Sequence, residues 1–192
     1  MAISPKIRLT PEEYLVLERQ AEFKSEYRAG EVYALAGASR RHTLIAGNVY
    51  GLLWTQLRRR PCEVYTGDMR IRIPRTGLYT YPDVAVIYGS PRFDDQVKDT
   101  LLNPTLVVEV LSDSTEKYDR GKKFENYRQI ESFAEYVLIA QDEIYIEHYL
   151  RQPDVSWLYE EHHALADRLD LPSIDCHLLL ADVYEKVTFE TE

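Results

Sequence analysis

The sequence predicts an α/β or α+β fold in a single domain over residues 1–192, a mixed β-sheet flanked by helices. Three observations carry that expectation. Two dense apolar runs, YPDVAVIY at residues 81–88 and TLVVEVL at 105–111, read as central strands buried on both faces. A helix-start signature at Thr10 and a helically spaced apolar segment at 40–60 come before them. Finally, 192 residues with 45% hydrophobic and 29% charged side chains have a globular composition, not that of a disordered chain.

In chain order, Thr10-Pro11-Glu12-Glu13 supplies a cap, a proline at the first helical position and a glutamate three residues after the cap. This helix is expected to run to about Tyr27, where Ala29-Gly30 ends it, and residues 31–36 follow as a short strand. In the second helix Leu44, Ile45, Leu52, Leu53 and Leu57 form the apolar stripe. Arg58-Arg59-Arg60 before Pro61 closes it, a positive end that complements the helix dipole, with a phosphate contact as the other reading. Within 62–74, Met69, Ile71 and Ile73 alternate with Arg70 and Arg72, the period of a half-buried strand. Residues 90–104 are polar and proline-flanked, hence a surface connection. A loop leads into a helix over 114–130, and a strand follows at 135–140. Alternation at 144–149 pairs with a strand near 155–159. A last apolar stretch, 176–183, closes the core as a short helix.

The net charge of −9, from 32 acidic and 23 basic residues, argues against gripping nucleic acid by bulk charge. It leaves room for a local basic patch and suits a site that gathers carboxylates around a divalent cation. Two cysteines, Cys62 and Cys176, exclude a disulfide scaffold and a structural zinc site. No apolar run approaches membrane length and the start lacks a secretory pattern, so a cytoplasmic protein with no membrane partner is expected. The fifteen tyrosines are ordinary in strands and interfaces. Without a basic groove they are no stacking platform.

Two carboxylates sit where strands should be apolar. Asp83 begins PDVAVI and Glu109 is embedded in LVVEVL. An unpaired buried carboxylate is expensive, so each needs a cationic partner, a metal or a proton. A salt bridge to a buried Arg or Lys explains either one alone, whereas two on adjacent central strands suggest a shared ligand. Mg²⁺ or Mn²⁺ held by Asp83 and Glu109 meets that need, and the chemistry implied is metal-assisted phosphodiester hydrolysis. Of the two following lysines, Lys123 falls about 40° from the face of Phe124, Tyr127 and Ile130, and Lys122 about 140° away. Lys123 therefore points at the sheet with Glu109 as its partner, or is a structural ion pair. Asp113 and Asp119 flank a turn where Asp commonly caps amides, and Ser112 and Thr115 suit the same role. His162-His163 lies in a polar loop without a metal pattern.

Pro82-Asp83, Glu109-Val110-Leu111-Ser112, Ser114-Thr115, Asp119, Lys123 and Tyr127 together resemble the Uma2 family, restriction-endonuclease-like proteins common in cyanobacteria. The resemblance extends over nearly the whole chain, through TPEEYL, Glu26-Tyr27, Gly30-Glu31, His42 and Glu135-Tyr136. It implies the PD-(D/E)XK nuclease-like fold, with a divalent metal on Asp83 and Glu109. Lys123 is then a catalytic lysine moved from strand to helix, since Leu111 stands where the superfamily pattern puts it. Glu26 matches an acidic position on the first helix that completes such sites, and His42 matches without a defined role. The leading expectation is a metal-dependent endonuclease acting on DNA. The alternatives are a weak or inactive member that binds nucleic acid or a protein partner, and an enzyme acting on RNA or a nucleotide. Double-strand cleavage would favour a homodimer.

Overall fold

In the computed structural model, which describes residues 8–189, Thr10 caps α1 (Pro11–Glu18) with a full capping box. The Thr10 amide donates to Glu13 Oε2 at 2.7 Å and the Thr10 hydroxyl accepts from the Glu13 amide. The helix stops at Glu18, well short of Tyr27. Its Val16 and Leu17 are exposed, so no apolar stripe extends it. Residues beyond it form a hairpin, β1 (Ser25–Arg28) with β2 (Glu31–Ala34), in which Glu26 faces Tyr33 across the pair. Ala29 and Gly30 are its two-residue turn, at φ 50° and 91°, and not a helix stop. A non-glycine residue in that left-handed region costs roughly 1–2 kcal/mol. Ala29→Gly is therefore expected to raise the unfolding free energy by about 1 kcal/mol in urea denaturation, net of glycine's entropy. An unchanged midpoint would mean the turn carries no strain.

Ser39 caps α2 (Arg40–Leu57), which buries Ile45, Val49, Leu53 and Leu57 along one stripe. The arginines after it lie outside the helix; Arg60 is tied to the Ile174 and Asp175 carbonyls and the Asp175 carboxylate. Residues 62–74 give two strands in different sheets, β3 (Cys62–Thr66) and β4 (Arg70–Ile73), because a turn from Thr66 to Met69 reverses the chain. Then come β5 (Leu78–Thr80), β6 (Val84–Tyr88), β7 (Thr100–Leu101) and β8 (Leu106–Leu111). The 90–104 segment is thus not wholly irregular. Its Asp94 and Asp99 bind the guanidiniums of Arg72 and Arg70.

The helix after β8 is short and composite: α3 (Glu116–Tyr118), a π-helical turn (Asp119–Lys123) and α4 (Phe124–Tyr127). After it come β9 (Glu135–Ala140), β10 (Ile146–Arg151), β11 (Trp157–His162), β12 (Arg168–Leu171) and β13 (Cys176–Leu179), then α5 (Leu180–Val183). The closing apolar stretch is therefore a strand followed by a helical turn.

Rather than one sheet, the described residues form three. A six-stranded mixed sheet runs β11-β10-β9-β8-β6-β3, a five-stranded one β2-β1-β5-β4-β7, and β12 pairs with β13. The parallel pairs are β8 with β9 and β4 with β7. On one face of the large sheet, Val84, Val86, Val108 and Val137 pack with α2, β12–β13 and α5. On the other, Ala85, Ile87, Val107 and Leu138 meet β4, β5 and α4. Both central strands are buried on two faces, as their apolar density requires. No helix among the described residues is long and apolar enough to cross a membrane.

Candidate active site

Strand alternation on β8 sends Leu106, Val108 and Val110 to the α2 side and Val107 and Leu111 to the α4 side. Glu109 falls with the second set, only 3% exposed, and its charge is met there. Lys123 Nζ lies 2.9 Å from Glu109 Oε1, and the Tyr127 hydroxyl donates to the same oxygen at 3.0 Å. Lys123 also faces Asp119 Oδ1 at 3.3 Å and Glu26 Oε1 at 3.8 Å. Its side chain is 7% exposed, whereas Lys122 is 71% exposed and pairs with Glu125. The helical phase thus separates the two lysines correctly. The π turn brings Asp119 and Lys123 together at the point where the helix meets Glu109; such turns recur at functional sites.

Glu26 reaches this cluster from β1, a strand and not the first helix, because α1 ends before it. It is buried and accepts from the Thr80 hydroxyl. Asp83 stands immediately before β6. Val84 is opposite Val108, which puts Asp83 next in line with Glu109 on adjacent strands. Asp83 Oδ2 accepts from the Val110 amide at 2.7 Å and lies 3.3 Å from His42 Nε2. His42, given no role by the sequence, is therefore paired with a predicted site carboxylate.

Electrostatics follow from burial. Desolvation drives the Glu109 carboxyl well above its ordinary range; Lys123 opposes this, and the charges of Asp119 and Asp83 add to it. Burial disfavours the Lys123 ammonium, but Glu109, Asp119 and Glu26 outweigh it and push its pKa up. Desolvation also lowers His42, and the Asp83 carboxylate more than restores it, so its pKa is raised.

These residues share one cleft of about 830 Å³, lined also by Tyr118 and the small residues of 34–39. On its floor Glu26, Glu109 and Asp119 face the Lys123 ammonium, while Asp83 faces His42. The buried Asp119 Oδ1 faces that ammonium without the alignment of a hydrogen bond, so it has unused acceptor capacity. Among the described residues no group of three or more His, Cys, Asp or Glu side chains is placed to hold a metal ion. An all-oxygen set of two carboxylates completed by water suits Mg²⁺ or Mn²⁺ and not zinc.

Asp119 and Tyr127, which the sequence places in the family motif but expects only as a turn residue and part of an apolar face, both join this cluster. A usable signal exists for Asp119, since a buried Asp at i and Lys at i+4 is a helix ion pair. For Tyr127 the burial of its ring gives no hint of its hydroxyl. The remaining polar residues stay local: Ser112 and Thr115 join hydroxyls at 2.9 Å, and His163 pairs with Glu161 at the surface.

The model of the Uma2 family, described as "Putative restriction endonuclease", matches residues 11–180. The chain belongs to the Uma2 family. Two relatives come from Synechocystis sp. (strain ATCC 27184 / PCC 6803 / Kazusa). "Uncharacterized protein sll1609" is 40% identical over 84% of this chain and 91% of that protein. "Uncharacterized protein slr1290" is 37% identical over 97% and 96%. A solved structure, "a putative nuclease belonging to DUF820 from Anabaena variabilis ATCC 29413", superposes with a TM-score of 0.76. It covers 94% of this chain and 99% of its own at 19% identity, which establishes the shared fold. The restriction-endonuclease-like architecture expected of a Uma2 chain is thus the one present.

Proposed function

We propose that this Uma2 chain is a metal-dependent endonuclease that hydrolyses phosphodiester bonds in DNA, with Mg²⁺ or Mn²⁺ held by Asp83 and Glu109. One observation carries the reading. A buried lysine is gripped by Glu109, Asp119 and Glu26 on the floor of an open cleft, beside a second strand-end carboxylate, Asp83. A structural ion pair has no need of a cleft above it, nor of an excess of carboxylates.

The cation would supply a polarised phosphate and a water of lowered pKa. The protein's residues supply the rest. Lys123, held charged by its acidic neighbours, serves as an electrostatic stabiliser of the charge that develops on the phosphate, and not as a base. Tyr127 fixes the rotamer of Glu109, and the Val110 amide fixes Asp83. Glu26, itself fixed by Thr80, completes the set around the ammonium. A cytoplasmic homodimer, one site to each strand, completes the proposal.

A second reading, a weak or inactive nuclease-fold protein that binds nucleic acid or a protein partner, is favoured by the absence of a three-ligand cluster among the described residues. Supercoiled plasmid incubated with purified protein separates the two. Nicking or linearisation that needs Mg²⁺ or Mn²⁺, stops with EDTA and is missing in Glu109→Ala supports the enzyme. Retarded but intact plasmid supports the binder.

A further inference from the structure

The cleft has a rim whose chemistry differs from its floor. Alternation along β1 and the residue before it puts Lys24, Glu26 and Arg28 on one face, and the register puts Tyr33 of the edge strand β2 opposite Glu26. All four line the cleft. Lys24 and Arg28 therefore bracket Glu26, about 13 Å apart along the strand. Each cation lies over tyrosine rings. Arg28 is 4.9 Å from the Tyr33 centroid and 5.8 Å from that of Tyr118, and Lys24 is 5.5 Å from that of Tyr81. Tyr33 keeps 41% of its surface exposed. The partners of Lys24, the Gly67 carbonyl and the 87%-exposed Asp68 side chain, are surface contacts of the kind that cost little to release. Beyond the hairpin and Leu35, the cleft wall at 36–39 is Ala-Gly-Ala-Ser, with little side-chain bulk to block a chain lying across it.

We infer that the β1–β2 hairpin grips an unpaired strand of nucleic acid across the cleft, with Lys24 and Arg28 on phosphates either side of the floor and Tyr33 stacked on a base. The inference rests on the nuclease reading and names its substrate as single-stranded, or locally unpaired, DNA. Two physical facts favour a single strand over continuous duplex. Glu109 and Lys123 are almost fully buried, so a scissile phosphate must enter a cleft of about 830 Å³, a volume that takes small molecules or a few nucleotides. With a net charge of −9 and two rim cations, phosphate neutralisation is scant, so base stacking on aromatic rings must supply much of the affinity.

The test uses the full chain with end-labelled oligodeoxythymidine and a blunt-ended, fully paired duplex. Fluorescence anisotropy in EDTA reads binding, and gel analysis in Mn²⁺ reads cleavage. The single strand is expected to bind about tenfold more tightly than the duplex. Tyr33→Ala, at an exposed hairpin position, should lose about tenfold in single-strand affinity, Tyr33→Phe should retain it, and Arg28→Ala should flatten the salt dependence. Circular dichroism confirms that each variant is folded. Duplex binding as tight as single-strand binding, or an unchanged affinity in Tyr33→Ala, overturns the inference. Cleavage of duplex without single-strand preference keeps the nuclease reading and overturns the hairpin grip. Tyr33-dependent single-strand binding without cleavage of either probe does the reverse, and absence of both overturns both.

Discussion

Replacing Lys123 with alanine is expected to cost up to about 3–5 kcal/mol of stability in metal-free protein where Glu109 is ionised, because the buried carboxylates then lack their cation. The deficit should depend on pH, and its sign follows from Glu109. A carboxyl whose folded pKa lies above its unfolded value of 4.5 stabilises the fold below that value, and the benefit is lost as pH rises through the folded pKa. Lys123 holds that rise in check, so without it the Glu109 pKa climbs further. The variant should therefore approach wild type in acid and fall further behind as pH rises through the folded Glu109 pKa. Chemical denaturation across that range measures it. The raised pKa of Lys123 itself contributes stability that is lost only in strong alkali, outside this window. Lys122→Ala is the internal control, at 71% exposure, and should stay within about 0.5 kcal/mol of wild type at every pH. A pH-independent deficit, or equal losses in the two variants, would remove the Glu109–Lys123 pair from its central place. Where the Lys123 variant folds, its turnover should fall by about two orders of magnitude or more.

The second large effect concerns the cation. Mg²⁺ or Mn²⁺ at about 100 times its dissociation constant stabilises the folded state by about 2.7 kcal/mol, which for a chain of this size raises the melting temperature by roughly 5–10 °C. Glu109→Gln should abolish that rise while leaving the metal-free protein near wild-type stability. The amide still accepts from Tyr127 and Lys123, and a costly buried charge is gone. An equal cation-induced shift in both proteins would locate the ion elsewhere.

Much of this site is legible in the sequence, and the reason is energetic. A carboxylate inside LVVEVL violates the rule that strands buried on both faces are apolar, so Glu109 announces a partner, and the helical phase of Lys122 and Lys123 selects which lysine it is. Adjacent-strand placement of Asp83 follows from two dense apolar runs that pair in the large sheet. What the sequence hides is local. In α1 the apolar residues Val16 and Leu17 face solvent, and no glycine or proline follows Glu18, so the end of the helix carries no breaker. The alternation of Lys24, Glu26 and Arg28 is then taken for helix, and the hairpin that carries Glu26 to the floor is lost with it. Splitting 62–74 between two sheets depends on a tertiary choice made at the Thr66–Met69 turn, which periodicity alone does not encode.

The central claim, that hydrolysis runs through a cation held at Glu109, is tested most directly by single-turnover cleavage of labelled DNA in Mn²⁺ by wild type, Glu109→Gln and Lys122→Ala. The account predicts that Glu109→Gln loses at least about a hundredfold in rate, that Lys122→Ala cuts as wild type, and that EDTA silences all three. Cleavage by Glu109→Gln at the wild-type rate, or cleavage that persists in EDTA, would contradict it.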